Sequence, residues 1–274
     1  ILEVVRGLPA QELTATMRNP RSEAVRTFRG AKLFDYAVAT GLFASKMGGG
    51  GLANGYFMVT AEDGARATIA LAEVWPNATS KEVILAYEQD GEPVRNGVRL
   101  VITGDHLAGR SLAGVVSIEP RRVEGAGVNE GGSQGDVALR GLLDRPGVIN
   151  AAALDAHEQV EVETVAASGH GGEPIAPRKY RGVRLYGLLD SAGIRLNPEI
   201  HEDFLSKVVV VTSADGHQVA IAGGEIEPRF MNGDVIVATQ HAGGPLAESE
   251  GGLRLMVPFD RKPGRWAKDL VSIE

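Results

Sequence analysis

Residues Thr27–Phe43 read TFRGAKLFDYAVATGLF, and residues Lys179–Ile194 read KYRGVRLYGLLDSAGI. Both stretches carry an aromatic residue, Arg-Gly, a basic residue, Leu, an apolar run and a closing Gly. Phe28-Arg29-Gly30 matches Tyr180-Arg181-Gly182 at an offset of 180 − 28 = 152. Leu33, Tyr36, Ala37 and Thr40 in one copy, and Leu185, Leu188, Leu189 and Ala192 in the other, have i, i+3, i+4, i+7 spacing. That spacing predicts one buried face of a helix. Gly41 and Gly193 stand where a left-handed glycine ends a helix.

Outward from these stretches the register persists. Thr60–Gly64 meets Thr212–Gly216, Glu82-Val83-Ile84 meets Asp234-Val235-Ile236, and Pro93 meets Pro245. After a three-residue insertion, Asp105 meets Asp260, Gly109-Arg110 meets Gly264-Arg265, and Val116–Glu119 meets Val271–Glu274, at 260 − 105 = 155. The repeat predicts a tandem duplication of a unit of about 120 residues, far longer than a solenoid repeat. The domains are expected at residues 1–123 and 137–274. They are joined by the Gly-rich stretch 124–136, EGAGVNEGGSQGD, which has too little apolar surface to pack.

Within each unit, alternating strands are expected at Glu12–Met17 and Gln159–Val165, each followed by a variable loop and then the helix. YFMVTAEDGARATIAL (56–71) and KVVVVTSADGHQVAIAG (207–223) read as hairpins, with Asp-Gly supplying the positive φ values of a type I′ turn. Further strands are expected at Val83–Tyr87, Val98–Thr103 and Val115–Glu119. Strands outnumber helices, so the fold class is α+β on a mixed or antiparallel sheet.

The 274 residues carry 28 Lys and Arg against 35 Asp and Glu, a net charge of −7. That balance argues against a general nucleic-acid binder. No apolar run approaches the length of a membrane span, so no membrane insertion is expected. The absence of cysteine removes disulfides, thiolate metal sites and Cys nucleophiles. The chain starts at Ile1 and not at Met, so residues upstream are expected to have been removed or left out; a cleaved export signal, with a periplasmic or secreted location, would fit.

The aromatic-x-Gly-Val-x-Leu helix opening (Tyr180–Leu185), the T-x-x-D-G hairpin and the late Gly-Arg-Trp-x-Lys before a closing strand (Gly264–Glu274) resemble the sulfite-oxidase-type molybdopterin-binding domain. The order and spacing of these motifs, present twice, carry the resemblance, and the second copy is the closer match. It implies an α+β fold around a molybdenum–pterin cofactor. In that family the metal is held by the dithiolene and by one cysteine in the loop before the aromatic-x-Gly motif. The corresponding loops here, Arg18–Thr27 and Ala166–Lys179, contain none, so no molybdenum is expected through cysteine. The chain looks more like small exported relatives that lack this cysteine, bind reduced pterins and act in sensing.

The candidate cofactor-binding residues follow from the resemblance. In Asp260-x-x-x-Gly264-Arg265-Trp266-x-Lys268, the carboxylate can accept two pterin donors, Trp266 can stack or donate its N–H, and Arg265 and Lys268 suit a phosphate. The competing reading is a turn in which Asp260 and Arg265 pair with each other. Asp105 and Arg110 are the first-copy equivalents, where Ser111 replaces Trp266 and the site is expected to be weak or dead. Ser168-Gly169-His170-Gly171-Gly172 lies where the cysteine would be, and its N–H groups can form an anion nest. Arg18 and Asn19 hold the matching first-copy place.

No catalytic or metal residue is assigned. Ser213, Asp215 and His217 straddle one turn and do not make a triad. GGGGLA (48–53) lacks the strand-before, helix-after context of a dinucleotide site. Three readings result. The first is a non-catalytic binder of a pterin-like small molecule, a pseudoenzyme. The second is a molybdopterin-dependent oxidoreductase using Ser168 or His170 in place of the thiolate. The third is a ligand-free module for a protein partner.

Overall fold

The Arg-Gly pair of each quoted stretch sits at a strand crossing that only glycine can fill. In the computed structural model, which describes residues 1–43, 51–123, 135–169, 172–231, 233–241, 243–247 and 251–274, strand Ser22–Lys32 pairs antiparallel with Val83–Gln89. The register shifts between Arg29 and Gly30. A Cβ on Gly30 would lie 2.1 Å from the Leu85 carbonyl oxygen. Strand Lys179–Arg184 pairs with Ile236–His241, shifts between Arg181 and Gly182, and leaves 2.1 Å between a Gly182 Cβ and the Val237 carbonyl oxygen. Such a bulge tightens the twist and aims the following residues into the helix.

Those helices are Leu33–Ala39 and Leu185–Ser191. Leu33, Tyr36 and Ala37 are buried in one, and Leu185, Leu188 and Leu189 in the other, as the periodicity predicts. Gly41 (φ +71°) and Gly193 (φ +80°) end them in the left-handed region. Leu42 N–H then donates to Ala37 O at 2.9 Å and Gly41 N–H to Val38 O at 3.1 Å, which satisfies carbonyls of the last turn.

Two compact units result. The first comprises Ile1–Arg122 with Pro198–Lys207 and Ala222–Asn232; the second comprises Val123–Asn197, Val208–Ile221 and Gly233–Glu274. Of the stretch 124–136, residues 124–134 lie outside the described residues. In the first unit one sheet runs Gln11–Asn19, Ser22–Lys32, Val83–Gln89 and Glu92–Pro93, with Arg99–Ile102 also on Val83–Gln89. A second sheet holds Arg66–Ala70, Gly55–Ala61 and Val115–Arg122. Phe57, Ile69, Leu85, Leu100 and Leu33 meet in its main core, all at 0% exposure.

In the second unit a sheet runs Gln159–Glu163, Lys179–Arg184, Ile236–His241 and Gly244–Pro245, with Arg254–Met256 on Ile236–His241. The other sheet runs Gly147–Ile149, Val137–Leu139, Leu270–Ile273, Val208–Ser213 and Gln218–Ala222. It is mixed, because Leu270–Ile273 pairs parallel with Val137–Leu139. Mixed sheets with few helices agree with the α+β expectation.

Two expectations need correction. The turns at Asp63-Gly64 and Asp215-Gly216 are not type I′. Only the glycines have positive φ, +85° and +82°, while each Asp carboxylate accepts the N–H two residues on, Ala65 at 3.0 Å and His217 at 2.9 Å. That is an Asx turn followed by a left-handed Gly. Positive φ at both central residues occurs instead at Asp90-Gly91 and Asn96-Gly97. The expected loop Arg18–Thr27 is mostly strand: Gln11–Asn19 and Ser22–Lys32 pair along their length up to Asn19↔Ser22. Asn19 Oδ1 accepts the N–H of Arg21 (2.9 Å) and Ser22 (3.0 Å), so its side chain builds the hairpin end.

Candidate functional site

The segment after strand Arg254–Met256 carries the second unit's candidates. It turns through the short 3-10 helix Pro263–Arg265 before strand Leu270–Ile273. Arg265 is thereby aimed inward, at Asp260. Its Nε donates to Oδ2 at 2.8 Å and its Nη2 to Oδ1 at 2.7 Å, with side-chain exposures of only 1% and 2%. The carboxylate expected to accept from a pterin therefore accepts from Arg265, and the fork–fork geometry occupies both oxygens. Trp266 is buried as well, and its Nε1–H donates to Val257 O at 2.9 Å. Lys268 is exposed, as are Arg261 and Lys262.

The connection that follows strand Gln159–Glu163 lies against this segment. Val165 N–H donates to Pro258 O at 2.8 Å and Ser168 N–H to Arg261 O at 2.9 Å. Ser168 is half-buried in the two-residue strand Ala167–Ser168, which pairs with Pro174–Ile175. Gly169 N–H donates to Glu173 O at 2.8 Å, so it is not a free arm of an anion nest. His170 lies outside the described residues. The structure thus brings Ser168 beside the Asp260–Lys268 segment.

In the first unit, Asp105 and Arg110 repeat the same pair: Nε to Oδ2 at 2.8 Å and Nη2 to Oδ1 at 2.7 Å. Here the pair belongs to a larger buried cluster. Arg110 Nη1 and Nη2 also donate to Glu73 at 3.0 and 2.9 Å, and Lys81 Nζ reaches Glu73 Oε1 at 2.9 Å and Asp105 Oδ1 at 3.2 Å. The four side chains are 0–7% exposed. Burial pushes the Glu73 carboxyl up, but the Arg110 and Lys81 charges and their hydrogen bonds outweigh it and bring the pKa down to about 2. Burial likewise disfavours the Arg110 cation, but Asp105 and Glu73 hold its pKa well above the ordinary arginine value. Arg18, at the hairpin end, contacts His106 at 3.0 Å and Glu23 at 2.6 Å.

Glu73 went unread in the sequence. It has a local task too: its Oε2 accepts Ala70 N–H at 3.1 Å at the start of helix Leu71–Val74. Glu225 does the same for Ala222 N–H at 3.0 Å at the start of Gly223–Ile226. The signal was present, because ATIALAEV (67–74) and VAIAGGEI (219–226) each bury one Glu in an apolar run, again 225 − 73 = 152 apart.

The donor set can be tested against the cofactor that the resemblance implies. There is no thiolate, and no group of three or more His, Asp or Glu able to hold a metal ion occurs among the described residues. The residues do not fit a molybdenum held through cysteine. Arg261 and Lys262, next to the Ser168 connection, and Lys268, further along the same segment, are exposed cations of the kind that can meet a phosphate. No helix among the described residues is long and apolar enough to cross a membrane.

A mixed-sheet α+β unit with a Gly-bulged strand, a following helix and a late Gly-Arg-Trp turn defines the class. The sequence model of the oxidoreductase molybdopterin binding domain matches residues 134–274, just over half of the chain, and the chain belongs to that family. Among solved structures, the crystal structure of the sulfane dehydrogenase SoxCD from Paracoccus pantotrophus is similar over 56% of this chain, at 21% identity and a TM-score of 0.40. This chain covers 41% of that chain's length. No curated protein matches.

Proposed function

We propose that the chain binds a pterin or molybdopterin-type anion in its second unit and carries out no molybdenum redox chemistry there. The observation that carries this reading is the Ser168 N–H bond to Arg261 O. It seats the connection that lacks the family's cysteine against a segment bearing exposed Arg261, Lys262 and Lys268. Lys268 and Ser168, with Arg261 and Lys262, would meet the ligand's phosphate and polar edge. Asp260, Arg265 and Trp266 would hold the turn that presents them. The role is binding or sensing, in the periplasm or outside the cell, with the small molecule as the main partner.

The same proposal includes a tandem duplication, with copies at 1–123 and 137–274 and a linker at 124–136. Its support is the shared bulge, the shared helix and the bridges Arg99↔Ala113 and Arg254↔Lys268, both displaced by 254 − 99 = 155. In the first copy the closed hairpin Gln11–Lys32 takes the place of the open connection, so ligand binding is assigned to the second copy alone.

The test is absorbance, mass spectrometry and metal content on one purified sample, followed by titration with reduced pterins and molybdopterin. A pterin without molybdenum, or binding weakened at least about tenfold by Lys268→Glu, supports the reading. Molybdenum at one equivalent would overturn it in favour of an oxidoreductase with a ligand other than cysteine. No binding of any pterin would overturn it in favour of a ligand-free protein-interaction module.

A further inference from the structure

The buried cluster of Glu73, Lys81, Asp105 and Arg110 has no part in the proposed ligand site, yet it is the most heavily charged place in the first unit's interior. Such a cluster holds together only where water is excluded. Its Coulomb attraction falls severalfold if solvent reaches it, and removal of cover leaves charges uncompensated. The residues that exclude water are therefore informative.

A large share of that cover comes from far along the chain. Met231 Sδ lies 3.2 Å from Lys81 Nζ. A Cβ on Gly224 would lie 2.2 Å from Arg110 Cδ and 2.5 Å from its Nε, so the guanidinium stem runs directly across that glycine. A Cβ on Gly109 would lie 2.2 Å from Phe230 Cε1. His106 N–H, next to Asp105, donates to Phe230 O at 2.6 Å. Beside these, the buried Thr68 hydroxyl faces Leu205 O at 3.2 Å and donates to Lys207 O at 2.8 Å.

We infer that Ala222–Met231 and Pro198–Lys207 form an interlock: they close the first unit's charge cluster, and the first 122 residues reach their native state only with both segments seated. The two segments are joined through the hairpin of Val208–Ser213 and Gln218–Ala222, whose second strand is the edge of a second-unit sheet. Loss of that hairpin pulls both covers away from Arg110 and Thr68. Stability of the early part of the chain is thereby tied to contacts between residues more than a hundred positions apart. The inference does not depend on a ligand.

The experiment is hydrogen exchange by mass spectrometry on the full chain, wild type against Gly224→Val. The valine cannot coexist with the Arg110 stem. The expected result is exchange faster by at least about tenfold both in peptides covering 222–231 and in those covering 66–74 and 105–112. Faster exchange confined to 222–231 would overturn the interlock. Should Gly224→Val fail to fold, Thr68→Val and Met231→Ala make milder changes. Thr68→Val must speed exchange at 203–207, and Met231→Ala must do so at 66–74 and 105–112. No change in either would equally overturn it.

Discussion

Arg265 grips Asp260 through two charge-assisted bonds, at 2.8 and 2.7 Å, with both side chains sealed from solvent. The pair closes the turn that carries Gly264 and Trp266. Its value is conditional, because two ions lost their hydration to form it. Removing one partner strands the other.

Arg265→Met is accordingly expected to destabilise the chain by about 3–5 kcal/mol, and Asp260→Ala by a similar amount. Urea denaturation monitored by Trp fluorescence measures both. The double variant should cost less than the sum of the singles, because it leaves no stranded charge. A cost below about 1 kcal/mol for either single change would mean that the pair is not holding the turn.

Acid sensitivity follows from Glu73. Its folded pKa is about 2 against an ordinary value of 4.5. A depressed carboxyl contributes its stability fully above the unfolded pKa and loses it as pH falls through the folded one. Stability should therefore fall between about pH 5 and pH 2, and the slope over that window should flatten in Glu73→Gln. Denaturation midpoints measured across the window check this. Glu73→Gln should also be less stable than wild type at pH 7, because Arg110 and Lys81 keep their charges.

The repeated Arg-Gly gives a sharper steric prediction. A methyl on Gly30 or Gly182 meets a carbonyl oxygen of the neighbouring strand at 2.1 Å, and backbone in mid-sheet does not swing aside as a side chain would. Gly30→Ala and Gly182→Ala should each cost at least about 3 kcal/mol or abolish soluble expression. Gly64→Ala is the contrast. Its site is open, so only the left-handed backbone resists, at about 1–2 kcal/mol. Thermal melts of the three variants would separate clash from conformational strain.

Features with a local cause were legible in the sequence. Helix faces appear as spacing, and Gly41 and Gly193 as helix-end glycines, because both depend on residues a turn apart. The type of the Asp-Gly turns was not legible. The Asp63 and Asp215 carboxylates cap their own turns, and two-residue turns with positive φ throughout arise instead at Asp90 and Asn96. The partner of Asp260 was readable as an alternative to ligand binding, since a carboxylate five residues before an arginine can fold back on it. Glu73 and Lys81 were harder to read. Glu73 meets Arg110 from 37 residues earlier, and Lys81 meets Glu73 and Asp105 from a loop, so the cluster exists only once the sheets have packed.

The proposed ligand site separates two classes of residue that the sequence had merged. Trp266 spends its N–H on Val257 and is buried, so Trp266→Phe should lower stability while leaving pterin affinity within about twofold. Arg261 is exposed beside the Ser168 connection, and Lys268 is exposed further along the same segment. Lys268→Glu and Arg261→Glu should leave the melting temperature within a few degrees and weaken binding of a phosphorylated pterin by at least about tenfold. The loss should shrink as salt rises, because exposed charges are screened. Fluorescence titration of each variant at two salt concentrations makes the comparison. If Trp266→Phe abolishes binding while both charge reversals leave it intact, the ligand sits against the buried face of the turn, and Asp260 and Arg265 must open to admit it.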